Sequence, residues 1–500
     1  MNAYGEFFLK FMEPFFGGLI NLVKELGSTL FQIFNILNYV DVIREYISEL
    51  SGAGIVIIIL AALCLLLIFG LFFFFIYKMI SKYIRYRHKV RHQDSLVDEI
   101  DSLNNEVIKL KSANERFVNM SDSANVTLDE SGNVSNVLGE NESRFFNLTK
   151  VDEEMENREE VEYTRVDNLE ALCQSFLNFA ASKMGLYYDI NLIRLFVAAF
   201  ASNRLIVLQG ISGTGKTSLA YAWGNFVSNR TIIASVQPSW RDSSELFGYF
   251  NEFTKRFNET EVLTKMYEAR YTDSVYLTLL DEMNISRVEY YFAEMLSILE
   301  LPSEDEWVVD LVPNEWPTDP KLLENGRLKI PGNMWYVGTI NNDDSTFMLT
   351  DKVYDRAMPI NIDEKHAAFD APDTDAIMLS YTNFVELLTK AKDDHPVKEE
   401  TLNKVAEMDN YVIAHFRIAF GNRIVKQLCD FVPAYIACGG DEMVAVDYLI
   451  CHKILRKFEQ LNLSYIRSEI DGFINFLNET FGEGVMKECI IYLERLKKTI

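Results

Sequence analysis

The sequence has no C-x-x-C pair and no H-E-x-x-H, and its six cysteines (Cys64, Cys173, Cys429, Cys438, Cys451, Cys489) are scattered along the chain. That spacing excludes a disulfide framework or a zinc ribbon and reads as reduced, mostly buried thiols of a cytosolic body. Six histidines offer no metal set. His88 and His92 are four apart, but they sit in a basic run without a third ligand. Cations are scarce overall: Lys+Arg number 48 against 73 Asp+Glu, a formal net charge of −25. Duplex nucleic acid is held by a basic surface, so this balance argues against direct nucleic-acid binding and leaves such work to a partner subunit. A chain of 500 residues can hold several domains and bury a sizeable core.

One stretch lacks charge altogether, Gly52–Tyr77, reading GAGIVIIILAALCLLLIFGLFFFFIY. At 1.5 Å per residue it exceeds the ~30 Å hydrocarbon core, so it is expected to span a membrane with some tilt. Lys78, Lys82, Arg85, Arg87, Lys89 and Arg91 follow at once, whereas Asp41, Glu45 and Glu49 outweigh Arg44 before it. The positive-inside rule then places the C-terminal side in the cytoplasm of a single-pass cell-membrane protein. Residues 1–50 carry a helical apolar stripe, read as an amphipathic extracytoplasmic or interfacial segment, with a re-entrant insertion as the alternative. Residues 78–118 read as a basic juxtamembrane helix. Within it Leu96, Ile100, Leu103, Val107, Leu110, Asn114 and Phe117 form a heptad seam, either a short coiled coil or one amphipathic helix. Residues 119–163, rich in Asn, Ser, Asp and Glu and ending in DEEMENREEVE, read as an acidic disordered linker.

The most specific signal lies at 205–217, LIVLQGISGTGKT. An apolar run leads into Gly210, Ile211, Ser212, Gly213, Thr214, Gly215, Lys216 and Thr217, which fill every fixed position of G-x-x-x-x-G-K-[ST]. Ser218–Phe226 can continue as a helix. Strand, glycine loop and helix in that order make a phosphate-binding loop. Its backbone N–H groups and the helix N-terminus, including Ser218, face the phosphates. Lys216 would reach the β/γ-phosphates and the Thr217 hydroxyl would ligate Mg2+.

Further strands are expected at Thr231–Val236, Val275–Leu280 and Met334–Ile340. The second of these runs into Asp281-Glu282, a Walker B pattern: Asp281 would hold Mg2+ and Glu282 would polarise the attacking water. The third ends in Asn341-Asn342, where Asn341 could touch the γ-phosphate or the water. Arg356, in DKVYDR, could project into a neighbouring subunit's site and stabilise transition-state charge. In VQPSWRD and LFGYF, Trp240 and Phe250 are candidates to grip a polypeptide from a pore-facing loop, with Trp240 as a core residue the alternative. Arg241 could contact a neighbour or a substrate.

Taken together, GISGTGKT, LLDEMN, GTINNDDS and DKVYDRA resemble an AAA+ ATPase, most closely the McrB/MoxR-type branch. Asp281, Glu282 and Asn284 match its DE-x-N, and Gly338–Asn341 its GTMN-type sensor 1 strand. Asp351 and Arg356 match D-x-A-L-R-R-R-F, but Asp355 and Ala357 stand where the family has arginines. The segment Glu300–Pro331 resembles that branch's β-hairpin insertion. The resemblance covers about Asn168–Leu461. It implies an α/β fold with a three-layer parallel sheet over 164–370 and an α-helical lid over 371–500, in which Arg423 is the candidate sensor 2 contact. It also implies ATP (or GTP) and Mg2+ as cofactors, a homo-oligomeric ring such as a hexamer, and hydrolysis spent on remodelling an unidentified protein client. Two alternatives stand beside that reading: an McrB-like motor of a restriction or phage-defence system, and a nucleotide-gated membrane scaffold with little turnover.

Overall fold

The computed structural model describes residues 142–159, 161–341, 346–461 and 463–498, with three single positions, Glu25, Arg44 and Lys78, nearer the N-terminus. The chain divides into two units, Met1–Val134 and Ser135–Ile500. The second unit holds all the continuous described segments. Among the described residues no helix is long and apolar enough to cross a membrane. The expected interfacial segment, the span at 52–77, the heptad seam and most of the acidic linker lie outside the described residues.

The elements run in the order α1 (Phe146–Glu156), α2 (Leu169–Met184), α3 (Ile190–Ser202), β1 (Leu205–Gly210), α4 (Lys216–Phe226), β2 (Ile232–Ser235), α5 (Ser244–Phe247), β3 (Gly248–Asn251), β4 (Arg256–Glu259), α6 (Glu261–Ala269), β5 (Tyr276–Asp281), α7 (Val288–Tyr291) and α8 (Ala293–Ile298). There follow β6 (Val308–Asp310), β7 (Leu323–Glu324), β8 (Arg327–Lys329), β9 (Met334–Asn341), α9 (Asp351–Tyr354) and β10 (Ala357–Asn361). The C-terminal region is helical: α10 (Tyr381–Asp394), α11 (Glu399–Phe416), α12 (Asn422–Ala437), α13 (Glu442–Lys453), α14 (Leu463–Phe481) and α15 (Lys487–Lys498).

The central sheet is parallel throughout, in the order β10-β1-β9-β5-β2. It has helices on both faces, which is why its strands read as near-continuous apolar runs. Side chains still alternate. Ile206 and Leu208 enter one core cluster with α2, α3 and α4, while Leu205 and Val207 enter the other with α6 and α7. The C-terminal helices share the first cluster, so α10–α15 and the α2–α3 face form one continuous apolar core. The expected hairpin in the 300–331 segment is present: β7 and β8 pair antiparallel around Asn325 and Gly326, at φ 52° and 76°, and β6 adds a third strand.

The acidic linker expected over 119–163 ends earlier than its composition suggests, because residues 142–156 are folded onto the α/β unit. Phe145, Leu148 and Val151 are buried in the second core cluster, and Phe145 stacks on Phe257 with ring centroids 4.8 Å apart. The Glu259 carboxylate accepts from the N–H groups of Asn147 and Leu148 at 2.8 Å each, satisfying orphan donors of α1's first turn. Asp152 is buried and accepts from Tyr267 Oη (2.6 Å), Tyr271 Oη (2.5 Å) and the Lys321 N–H (2.9 Å). Acidity here is not solvation. One carboxylate is consumed as a buried acceptor, and three apolar residues are buried beside it.

Candidate functional site

The C-terminal ends of β1, β5 and β9 meet at one edge of the sheet, the place where open parallel sheets bind ligands. Gly210 closes β1 at φ 139°, and a Cβ there would stand 2.4 Å from the Ile362 carbonyl oxygen. Gly215, at φ 95°, turns the loop into α4. Both positions need the freedom of glycine. Lys216 lies at the first turn of α4, and its Nζ folds back to donate to Gly210 O (2.9 Å) and Ile211 O (2.8 Å). Tyr188 packs under the loop and donates to Gly215 O at 3.2 Å, and burial pushes its phenol well above the usual range.

The Thr217 hydroxyl donates to Asp281 Oδ1 at 2.8 Å, joining the loop to the end of β5. Thr339 on β9 donates to the same oxygen at 2.8 Å, and its Oγ1 accepts from the Glu282 N–H at 2.8 Å. Glu282 has φ 52° and an exposed side chain beyond the strand end. Asn341 is in register with Gly210 on the adjacent strand. Asn284 is buried, and its Nδ2 donates to Asn341 O (3.0 Å) and Phe347 O (3.1 Å). Lys216, Thr217, Asp281, Glu282 and Asn341 are therefore brought to one edge as the sequence predicts. Lys365 was not legible. Its Nζ stands 3.9 Å from where a Cβ on Gly213 would be, adding a cation beside the loop.

Arg356 and Arg423 are not part of this group. Arg356 precedes β10, whose Ala357 pairs with Leu205 at the opposite end of β1 from Gly210. At 3.3 Å per residue that is about 17 Å along the strand. The two arginines instead converge on one carboxylate: Glu300 pairs with Arg356 Nη2 at 2.6 Å and with Arg423 Nη2 at 2.7 Å. Arg423 is the candidate sensor 2 contact by resemblance, with an exposed lid arginine the alternative. The structure places it on α12 beside Glu300, because α12 packs along α3 with its N-terminal end towards the start of β1.

The DKVYDRA segment around Arg356 is a joint between the sheet and the C-terminal helices. Arg456 pairs with Asp351 (2.6 Å) and lies over the Tyr354 ring, and Lys457 pairs with Asp355 (3.0 Å). Buried Lys453 donates to Tyr354 O (2.8 Å) and Ala357 O (2.5 Å). Burial pulls its ammonium down to about 7, opposed by Asp355. Tyr354 Oη donates to Gln209 Oε1 at 2.9 Å, so the joint also touches β1 one residue before the loop.

Trp240 is a core residue, 9% exposed and edge-on to Tyr291 at 5.1 Å. Phe250 packs against Trp316 beneath the Arg144 guanidinium. The aromatics this region presents to solvent are Tyr249, 55% exposed, and Phe253, 98% exposed at the turn of the β3–β4 hairpin, where Asn251 Oδ1 accepts from the Phe253 and Thr254 N–H groups. Arg241 is exposed.

Among the described residues one cluster offers metal-ligating atoms, Cys451, His452 and Glu488, with those atoms within 4.8 Å of one another. The Cys451 thiol donates to Glu488 O (3.6 Å), and His452 Nδ1 lies 3.4 Å from Asn361 Nδ2. Cys451 and His452 are buried and Glu488 is exposed, and the Asn361 amide that His452 meets also accepts from Gln209, one residue before the glycine loop. No family model matches the chain, and no curated protein matches it.

Proposed function

We propose that the unit from residue 142 onward is a Mg2+-dependent nucleoside-triphosphate hydrolase of AAA+ type, with ATP as the favoured nucleotide. In this reading it works as a ring of identical subunits, held at the cytoplasmic face of the cell membrane by residues 52–77. The observation that carries the proposal is the pair Thr217–Asp281, one hydroxyl and one carboxylate from different elements already 2.8 Å apart at the mouth of the loop. Hydroxyl and carboxylate oxygens are the hard donors Mg2+ takes alongside phosphate and water, so the residues present fit that ion. Thr217 and Asp281 would hold Mg2+, which when bound would supply positive charge against the phosphates. The strand order supports the same reading. The loop strand lies between β9, which carries Asn341, and β10, which follows Arg356.

The remaining roles belong to the chain. Lys216 exchanges its two loop carbonyls for phosphate oxygens. Glu282, exposed and aimed beyond β5, orients a water and accepts its proton. Asn341, beside Gly210, fixes the water or the γ-phosphate. Arg356, far from its own loop, serves a neighbouring subunit once it leaves Glu300. Phe253, the more exposed of the hairpin's two solvent-facing aromatics, would meet a protein client. Hydrolysis measured with ATP and with GTP tests the proposal and settles the base. Lys216→Ala is expected to lose binding and turnover, and Glu282→Gln to bind nucleotide but lose about 100-fold or more in kcat. Full activity in both variants overturns the assignment.

A further inference from the structure

We propose that Thr339 is a positioning residue which sets the geometry of both acidic residues at once, so that turnover depends on its hydroxyl. The inference rests on the hydrolytic reading above and deepens it. Thr339 is 3% exposed in a strand whose other buried members include Trp335, Tyr336, Val337 and Ile340. Valine would fill the same space, and a buried hydroxyl costs free energy unless it is hydrogen-bonded. Here its bonding capacity is spent on the two residues that matter. The proton goes to Asp281 Oδ1 and the oxygen accepts from the Glu282 N–H, each at 2.8 Å.

Position explains why this residue can do so. Leu280 is in parallel register with Gly338, which sets Asp281 beside Thr339. Asp281 Oδ1 is thus held between two hydroxyls, Thr217 from the loop and Thr339 from β9. That fixes which way the carboxylate presents its other oxygen. Glu282 leaves β5 at φ 52°, a backbone conformation that residues with a Cβ rarely adopt, and the Thr339 oxygen anchors its N–H in that conformation. Two residues on, the Asn284 amide is tied to Asn341 O. Strand β9 therefore grips the acidic turn at two points, and Thr339 is the one that touches Asp281 and Glu282 directly. It does not itself reach the substrate.

The test uses the full chain with Thr339→Val, Thr339→Ser, Asp281→Asn and Lys216→Ala. Three quantities are read: affinity for a fluorescent ATP analogue without Mg2+, kcat, and the Mg2+ concentration giving half-maximal turnover. Thr339→Val is expected to keep metal-free nucleotide affinity within about 3-fold while kcat falls about 10- to 100-fold, the loss of a hydrogen bond to a charged group. Its half-maximal Mg2+ concentration should rise. Thr339→Ser keeps the hydroxyl and should recover most of that loss, which a purely structural role for the side chain does not require. Wild-type turnover and Mg2+ dependence in the valine variant overturn the proposal. So does a serine variant that folds and binds nucleotide but turns over as slowly as Asp281→Asn, and this arm decides the matter if the valine variant fails to fold. A wild-type chain that neither binds nor hydrolyses nucleotide, and matches Lys216→Ala, overturns the hydrolytic reading itself, and with it the role of Thr339.

Discussion

Replacing Arg144 with alanine removes one half of a buried ion pair that pins the folded α/β unit to the end of the N-terminal linker. Arg144 and Asp319 have side chains 3% exposed each. The pair is bidentate, Nε to Oδ1 at 2.9 Å and Nη2 to Oδ2 at 2.7 Å, and Nη2 also donates to Asn314 O. The guanidinium lies 4.4 Å from the Trp316 ring centroid. Without Arg144, Asp319 keeps the Trp316 N–H at 2.8 Å but loses its counter-charge, while the Trp316 face loses its cation. Removing one partner of such a pair costs about 3–5 kcal/mol, whereas replacing both by apolar residues of similar volume is often neutral. Urea unfolding of the full chain should therefore show Arg144→Ala destabilised by about 3–5 kcal/mol, with Arg144→Met/Asp319→Leu recovering most of it. Limited proteolysis should cut near residues 142–156 faster in the single variant, because this pair ties the α1 strap to the insert that carries β6–β8. A cost below about 1 kcal/mol for Arg144→Ala, or a double variant no better than the worse single, refutes the reasoning.

Trp240, from the expected pore-facing segment, and Phe253, just beyond it, should separate by role. Trp240→Ala should cost about 3–5 kcal/mol in unfolding free energy. Phe253→Ser should cost under about 0.5 kcal/mol yet weaken client-stimulated turnover, and a destabilised Phe253→Ser would place that side chain in a contact it does not show here. His452 should give a pH signature. Burial holds its imidazole down at about 4 against an ordinary 6.5, so the unfolded chain takes the proton first as pH falls. Its stabilising contribution is complete above pH 6.5 and is lost towards pH 4, a span worth about 3 kcal/mol. Unfolding of His452→Gln followed from pH 7 to 4 should fall less steeply than wild type by about that amount, and parallel curves would show that His452 is not the group responsible.

The acidic strap at 142–156 shows where composition misleads. Its few apolar residues are enough once β4 offers Phe257 and Glu259, and that meeting depends on a chain reversal more than 100 residues away. The sequence leaves Trp240 open between a loop-borne grip and the core. Pro238, Ser239, Arg241 and Asp242 around it mark a loop correctly, but Tyr291, from the far side of β5, decides that the ring is buried. Thr339 carried only a faint mark, a hydroxyl among large buried side chains, and its partners became visible only when β9 was laid beside β5.

What the sequence determined by itself was local. Apolar runs bounded by turn residues specified β1, β2, β5 and β9 to within a residue or two, and the spacing of Gly210, Gly215, Lys216 and Thr217 specified a loop between strand and helix. These follow from backbone conformation and burial within a few residues. The tertiary structure alone decided which distant side chains meet. It set Asp281 between Thr217 and Thr339, and it brought Arg356 and Arg423 together on a shared Glu300. Strand order and helix packing set those pairings, because the direction in which β10 and α12 run puts the two arginines at the opposite edge of the sheet from the glycine loop.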